Sequence, residues 1–145
     1  MAPITGHIYD STPRTSGPLS DEDPLILVVE DDWGTRRFIC SMLKRSTNAF
    51  VIEASSPYGA LSIARSIGRP IDLLVSDIDL HAAKTGLELA REIAANNPSA
   101  AVLLMSGGDS PVGAIPAEWR FLAKPFPLEV LLDCVSELCR CVRPA

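Results

Sequence analysis

The sequence predicts an α/β fold in which a five-stranded parallel sheet carries helices on both faces. Five short apolar runs alternate with segments of helical periodicity, a pattern typical of parallel sheets with right-handed crossovers. The third run, residues 71–77, is almost continuously apolar, which favours a strand buried on both faces. Polar side chains follow four of the five runs, and open parallel sheets bind ligands at the carboxyl ends of their strands.

Each predicted strand is an apolar run too short for a helix. The first run comes directly after Pro24, and proline is well tolerated at the start of a strand. The predicted strands are residues 25–29, 49–54, 71–77, 101–105 and 121–123.

Helix signals lie between these strands. Ser56 followed by Pro57 predicts the start of the second helix, which ends at Gly68. Thr85 and Glu88 have the spacing of a capping box and predict a third helix that runs to residue 97. The first helix is predicted to bury an apolar face made of Phe38, Ile39, Met42 and Leu43.

The last two helical segments differ in how regular a helix their sequences predict. Residues 109–118 contain Pro111, Gly113 and Pro116, so we expect a fourth helix to be short or irregular. A final helix is predicted from residue 127 to about residue 142, with an inner face of Leu131, Cys134, Val135 and Leu138.

Composition limits the classes of function. The 145 residues are 47% hydrophobic and 21% charged, which predicts one domain with a substantial core. A net charge of −5 without a basic cluster argues against nucleic-acid binding. The longest apolar run, residues 100–105, is too short to cross a membrane. The amino terminus does not have the charged-then-apolar pattern of a signal peptide, so we expect a cytoplasmic protein. Residues 1–23 are expected to form a flexible tail before a folded domain at residues 24–145.

The four cysteines do not predict a metal site. Their spacing matches no zinc motif, and we expect reduced thiols that act as small apolar side chains. They are Cys40, Cys134, Cys139 and Cys141.

The residues that follow the strands predict the strand order. Strand one is followed by Glu30 and Asp31, and strand three ends on Asp77. Ser106 follows strand four, and Lys124 follows strand five. Strand two offers no such side chain, as expected of an edge strand remote from a site. This distribution favours the order 2-1-3-4-5, with a crevice between strands one and three.

Three carboxylates at one sheet edge require a cation. Unit charges about 4 Å apart repel by roughly 4 kcal/mol at an effective dielectric constant near 20. Because the ligands of Glu30, Asp31 and Asp77 are all oxygens, the cluster favours Mg²⁺ before zinc. The ammonium of Lys124 and the hydroxyl of Ser106 are suited to bind the oxygens of a phosphoryl group, and the carboxylate can be the nucleophile. The edge is therefore predicted to be a phosphoryl-transfer site.

Together these segments resemble the receiver domain of bacterial two-component response regulators. The matching pieces are residues 26–31, 73–77, 105–107 and 124–126, and their order and spacing make the resemblance specific. It covers about residues 25–142 and implies a flavodoxin-like fold. It also implies that Asp77 accepts a phosphoryl group from a sensor histidine kinase or a histidine phosphotransfer protein.

The resemblance assigns the metal ligands one by one. Asp31 and Asp77 would ligate Mg²⁺ directly, and Glu30 would do so through water. The backbone carbonyl of Asp79 would complete the protein ligands.

Other roles in the phosphorylated state also follow from the resemblance. Ser106 would bond the phosphoryl group and move with it, and Lys124 would pair with it. Phe121 stands where the family has an aromatic switch. The peptide bond between Lys124 and Pro125 would be cis.

Two departures from the family pattern concern loops. The loop after Asp77 is one residue longer than usual and has His81 where the family usually has proline. We expect Asp79, His81 and Gly108 to modulate the phosphoryl chemistry. The segment from Ser106 to Lys124 is about four residues shorter than usual, which predicts an atypical partner surface. Trp119 either belongs to that surface or is a partly buried packing residue.

The resulting hypothesis is a single-domain response regulator, since the chain ends about where the receiver ends. It would signal to a downstream protein target through a conformational change, would allow a homodimer, and would catalyse only its own phosphorylation and dephosphorylation. A haloacid-dehalogenase-like phosphatase is one alternative, because residues 77–79 resemble the opening motif of that family. Against it, the acid pair precedes the nucleophile, and His81 stands where that family usually has threonine. A pseudo-receiver that binds without being phosphorylated is the second alternative.

Overall fold

The computed structural model describes residues 23–108 and 115–139, and these residues form an α/β domain of five strands and four helices. All five predicted strands are present, with ends shifted by at most two residues. The predicted tail up to residue 22, residues 109–114 and residues 140–145, including Cys141, lie outside the described residues. The elements in chain order are β1 (Leu25–Val29), α1 (Trp33–Ser46), β2 (Phe50–Ala54), α2 (Pro57–Ser66), β3 (Leu73–Asp77), α3 (Gly86–Asn96), β4 (Ala101–Ser106), β5 (Arg120–Ala123) and α4 (Leu128–Cys139).

The sheet is entirely parallel and has the order β2-β1-β3-β4-β5, which confirms the predicted topology. The register sets Val29 beside Ser76, and Asp77 beside Met105. The ends of β1, β3 and β4 therefore lie level at one edge. Residues that follow these strands emerge side by side above that edge.

Short polar side chains start three of the helices. Asp32 accepts a hydrogen bond from the Thr35 amide at 2.8 Å and caps α1. Ser56 caps α2 as predicted, with Pro57 in its first turn. The predicted capping box of α3 is present, because Thr85 and Glu88 each bond the backbone amide of the other. Such caps satisfy amide groups that have no partner within the helix.

Two apolar layers cover the faces of the sheet. Helices α1 and α4 pack on one face, and α2 and α3 pack on the other. Three of the four residues predicted for the inner face of α4 are fully buried, and Leu138 is partly buried. Burying a single leucine or valine side chain contributes roughly 1.5–3 kcal/mol. This core fixes the strand ends that carry the site.

One predicted core residue of α1 is wrong. Phe38 is 53% exposed, whereas Ile39, Cys40 and Leu43 are buried. Successive helical residues are about 100° apart, so the buried residues occupy an arc centred almost opposite Phe38. Met42 lies about 60° outside that arc, on the side of Phe38, and is partly buried.

The connection between β4 and β5 includes the segment predicted to hold a short or irregular fourth helix. Its residues 109–114 lie outside the described part of the chain, and residues 115–119 form turns without a helix. Trp119 packs, partly buried, against the apolar layer beneath α2 and α3. This position matches the packing interpretation of Trp119.

Among the described residues, none of the helices combines the length and apolarity needed to cross a membrane.

Candidate functional site

The carboxyl ends of β1 and β3 bring three carboxylates together. One carboxylate oxygen from each of Glu30, Asp31 and Asp77 lies within 4.8 Å of the others. Glu30 and Asp77 are buried, and Asp31 is partly exposed. The structure therefore forms the predicted acidic cluster, although 47 positions separate Glu30 from Asp77 along the chain.

Lys124 crosses the cluster from the end of β5. Its Nζ atom lies 2.7 Å from Glu30 Oε1 and 2.9 Å from Asp77 Oδ2. Glu30 Oε2 accepts a further hydrogen bond from the Asp32 amide at 3.2 Å. Both oxygens of the buried Glu30 thus have donors, as a buried charge requires.

Burial and pairing act on the ionisation of this cluster. Burial raises the pKa of Glu30, although the hydrogen bond from Lys124 opposes the shift. Burial also disfavours the charged form of Lys124, but its bonds to Glu30 and Asp77 outweigh that effect and raise the pKa of Lys124. Lys124 therefore stays protonated and remains the internal cation of the site.

Asp77 is held by its neighbours on both sides. Its Oδ1 atom accepts a hydrogen bond from the Asp79 amide at 3.2 Å, while Oδ2 binds Lys124. The next amide, that of Ile78, donates to the Met105 carbonyl at 2.8 Å and extends the β3–β4 pairing by one residue. The carboxylate is therefore positioned by the sheet rather than by a free loop.

Gly86 allows α3 to begin against the end of β3. A Cβ atom at this position would lie 1.9 Å from the Asp77 carbonyl oxygen. The Gly86 amide also donates to the Ile78 carbonyl at 2.7 Å. Only glycine fits this close approach of two backbones. The capping-box pattern predicted the role of the neighbouring Thr85 but not this role of Gly86.

His81 reaches from the loop after β3 to the loop after β1. Its Nδ1 atom lies 2.7 Å from Asp31 Oδ2, and its Nε2 atom lies 3.7 Å from Asp79 Oδ2. The hydrogen bond to Asp31, with the charge of Asp79, raises the pKa of His81. Burial opposes ionisation of Asp31, but its hydrogen bonds, that of His81 foremost, outweigh burial and lower the pKa of Asp31. No pattern in the two loops predicted this contact between them.

Ser106 lies on β4, between the strands that carry Asp77 and Lys124. It is buried, and its hydroxyl oxygen accepts a hydrogen bond from the Gly108 amide at 3.0 Å. Its carbonyl accepts a hydrogen bond from the Lys124 amide at 2.8 Å. Gly108 is exposed at the rim. The predicted hydroxyl is therefore at the same sheet edge as the acidic cluster.

Phe121 lies on β5. It pairs with Leu104 across β4 and β5 and packs, partly buried, on the face covered by α2 and α3. The peptide bond between Lys124 and Pro125 is cis, as the resemblance implies.

β2 contributes to the site indirectly, which the sequence analysis did not foresee. Glu53 on β2 accepts a hydrogen bond from Arg36 Nε at 2.9 Å, and Arg36 Nη1 donates to the Glu30 carbonyl at 2.8 Å. The edge strand therefore holds the backbone that carries the acids. A charged residue inside a strand usually needs a partner of opposite charge when it is buried. The position of Glu53 within the predicted second strand was therefore the feature that could have indicated this contact.

The three carboxylates fit a hard divalent cation. They supply only oxygen ligands, and Mg²⁺ usually takes one or two carboxylates and keeps several waters. Three carboxylates whose oxygens lie within 4.8 Å of one another repel each other unless a positive charge is near. Lys124 directly bonds only two of them, Glu30 and Asp77. The donor set therefore fits a hard divalent cation such as Mg²⁺.

Comparison with known proteins assigns this arrangement to one family. Residues 26–136 match the family model described as the response regulator receiver domain. A curated relative, the sensor kinase CckA of Brucella abortus (strain 2308), is 32% identical in a match over 117 residues that covers 78% of this chain. The chain spans 12% of the length of that relative.

Solved structures share the fold. A response regulator receiver protein from Sinorhizobium medicae WSM419 is 26% identical with a TM-score of 0.73, and the match covers 83% of this chain and 98% of that one. The chemotaxis protein CheY4 of Vibrio cholerae is 21% identical with a TM-score of 0.68, over 80% of this chain and 98% of that one.

A third structure includes a modified residue and an ion. It is a response regulator protein from Burkholderia pseudomallei with a phosphorylated aspartic acid, a calcium ion and citrate. It is 25% identical with a TM-score of 0.67, and the match covers 80% of this chain and 66% of that one.

Proposed function

Because this chain belongs to the response regulator receiver family, we propose that it accepts a phosphoryl group on Asp77 from a sensor histidine kinase or a histidine phosphotransfer protein. One observation carries the proposal: the ammonium of Lys124 bonds Asp77 Oδ2 at 2.9 Å inside a cluster of three carboxylates. In the transfer, the phosphorus–nitrogen bond of a phosphohistidine breaks. A phosphorus–oxygen bond to the Asp77 carboxylate forms, and the imidazole leaves.

The metal assignment is part of this proposal. Asp31 and Asp77 would hold Mg²⁺ directly, with Glu30 through water and the backbone carbonyl of Asp79. When bound, the ion would neutralise charge on the transferring phosphoryl oxygens. The calcium ion and phosphorylated aspartate of the Burkholderia structure support such a site in this family.

Lys124 and Ser106 would receive the other phosphoryl oxygens. Lys124 already bonds Asp77, and the Ser106 hydroxyl needs only to leave the Gly108 amide. Donors placed beforehand at the position of developing charge are the most effective form of electrostatic stabilisation. Phe121 would then repack on its face of the sheet and present the signal to a downstream protein target.

The proposed setting is a cytoplasmic two-component pathway, with the receiver occupying residues 24–145. A single-domain arrangement and a homodimer stay predictions.

The family match over residues 26–136 favours a signalling domain over a haloacid-dehalogenase-like phosphatase. Steady turnover of a free phosphomonoester by the chain would favour the phosphatase instead.

A phosphodonor reaction tests the acceptor. The chain is incubated with a small acyl phosphate and Mg²⁺, and its intact mass is measured. We expect a gain of one phosphoryl group that requires the metal and disappears in Asp77→Asn. Asp79→Asn is the matched control, because it changes an exposed neighbouring carboxylate and keeps the proposed backbone ligand.

Two results would contradict the proposal. A mass gain that persists in Asp77→Asn would place the phosphoryl group elsewhere. No gain in the wild type, with either a small donor or a phosphorylated histidine protein, would support the pseudo-receiver alternative.

A further inference from the structure

The loop after β3 delivers His81 to the acidic cluster by a chain of backbone bonds. The Asp79 amide donates to Asp77 Oδ1 at 3.2 Å, and the His81 amide donates to Asp79 Oδ1 at 3.3 Å. His81 then has a φ of 50°, a conformation that is uncommon for residues other than glycine and that proline cannot adopt. The loop therefore turns sharply at the position where the family usually has proline.

This turn points the imidazole of His81 across the mouth of the site. Its Nδ1 atom lies 2.7 Å from Asp31 Oδ2, so it joins the loop after β3 to the loop after β1. Lys124 already bonds Glu30 and Asp77. Each of the three carboxylates thus has a nitrogen partner from the protein itself. Among the described residues, every buried side-chain nitrogen or oxygen has a hydrogen-bond partner.

We propose that His81 is a clasp that competes with a divalent cation for the Asp31 carboxylate and so weakens metal binding. This inference rests on the proposed function, because it takes the acidic cluster to be the metal site. A carboxylate offers two oxygens, and His81 bonds one of them. An ion that binds Asp31 Oδ2 must displace His81, and an ion that binds Oδ1 must share the negative charge of the carboxylate with His81.

Lys124 and His81 differ in how easily a cation can displace them from the carboxylates. Lys124 bonds two buried carboxylates, and removing it would leave buried charge without a partner. The His81 side chain is 73% exposed and can swing into water, where its nitrogens regain hydrogen bonds. His81, rather than Lys124, is therefore the group that an arriving cation displaces.

The expected effect is modest because the contact is exposed. Surface ion pairs contribute little, so we expect loss of His81 to tighten metal binding by about two- to fivefold. His81→Gly is a suitable variant, because glycine tolerates a positive φ and has no side chain to contact Asp31. Asparagine is unsuitable, because its Nδ2 atom is as many bonds from Cα as histidine Nδ1 and would keep a donor within reach of Asp31.

Isothermal titration calorimetry with Mg²⁺ tests the clasp on the full chain at one pH and one ionic strength. We expect His81→Gly to bind Mg²⁺ about two- to fivefold more tightly than the wild type. Lys84→Ala is the matched control, because it removes a cation from the same loop whose ammonium bonds Glu92 at 2.5 Å. We expect the control to bind Mg²⁺ as the wild type does.

The outcomes separate this inference from the proposed function. Equal or weaker binding by His81→Gly than by the wild type would overturn the clasp and leave the metal site intact. If Lys84→Ala bound Mg²⁺ as tightly as His81→Gly does, that result would also overturn it, since the cause would then be the net charge of the loop. Absence of Mg²⁺ binding in the wild type and in all variants would overturn the metal site, and the clasp with it.

Discussion

The Lys124 ammonium lies 2.7 Å from Glu30 Oε1, although 94 positions separate the two residues in the sequence. The contact spans the sheet edge from the end of β5 to the end of β1, over the intervening ends of β3 and β4. The same ammonium bonds Asp77. Lys124 therefore stabilises two buried carboxylates in the absence of a ligand.

Replacement of Lys124 is expected to destabilise the fold. Lys124→Met would leave Glu30 and Asp77 without their shared cation, and an unpaired buried polar group costs about 1–3 kcal/mol. We expect the free energy of unfolding, measured by urea denaturation, to fall by that amount. Mg²⁺ should recover part of the loss, because an ion that binds only the folded state stabilises it.

Lys84→Met provides the control for charge and volume. Lys84 pairs with the partly exposed Glu92, and exposed pairs contribute about 0–1 kcal/mol. Similar losses in the two variants would contradict the distinction between a buried and a surface ion pair.

Two glycines are expected to respond in opposite directions to alanine. At Gly86 a Cβ atom would lie 1.9 Å from the Asp77 carbonyl oxygen, so the backbone must shift. Overpacking of this kind costs about 1–3 kcal/mol, and the displaced Asp77 should also accept phosphoryl more slowly. In α1, a Cβ atom at Gly34 would meet its nearest atom, Asp32 Oδ2, at an ordinary 3.7 Å. Gly34→Ala should therefore stabilise the helix by about 0.5–1 kcal/mol.

Thermal denaturation of both glycine variants, with the rate of mass gain from a phosphodonor, checks this pair. A Gly86→Ala variant as stable as the wild type would show that α3 can move away from β3 at little cost.

The sequence was sufficient to predict the sheet and the acidic cluster because both follow from topology. Once the strands are parallel and ordered, residues at their carboxyl ends must share an edge, whatever their side chains do. The structure therefore brings Lys124 into contact with Glu30 and Asp77, as we expected.

Features that depend on side-chain direction were harder to predict. Phe38 is an apolar residue of a type common in protein cores, but its side chain points to solvent. The other side of α1 faces the sheet and buries Ile39, Cys40 and Leu43. The contact of His81 with Asp31 depends on a positive φ, which the pattern of the loop does not reveal.

Arg36 and Arg37 are expected to differ in their contribution to stability. Both bond Glu53, but the Arg36 side chain is 12% exposed and also donates to the Glu30 carbonyl, whereas the Arg37 side chain is 37% exposed. Hydrogen bonds of charged groups contribute about 1.5–3 kcal/mol, and exposed pairs about 0–1 kcal/mol. Arg36→Ala should lose more stability in urea than Arg37→Ala, and should also weaken Mg²⁺ binding by loosening the backbone at Glu30. The reverse order of stability would show that the bond to the Glu30 carbonyl is unimportant.

Cys40 is expected to be an unreactive thiol in the folded protein. Burial against the sheet, reinforced by the negative charge of Glu53, raises the pKa of Cys40 to about 12. Because the thiolate is the reactive form, alkylation at neutral pH should be far slower for Cys40 than for the partly exposed Cys139. Peptide mapping by mass spectrometry after a short iodoacetamide pulse measures both sites, and urea should abolish the difference.

The same shift predicts how stability depends on alkaline pH. A thiol with a higher pKa in the folded state than in the unfolded state stabilises the fold fully below its unfolded pKa. That contribution is lost as the pH rises from the ordinary value of 9.0 towards 12, because the unfolded chain gives up its proton first. Cys40→Val should therefore lose less stability than the wild type between these pH values in parallel urea titrations. Identical slopes for the two proteins would mean that Cys40 ionises equally easily when folded.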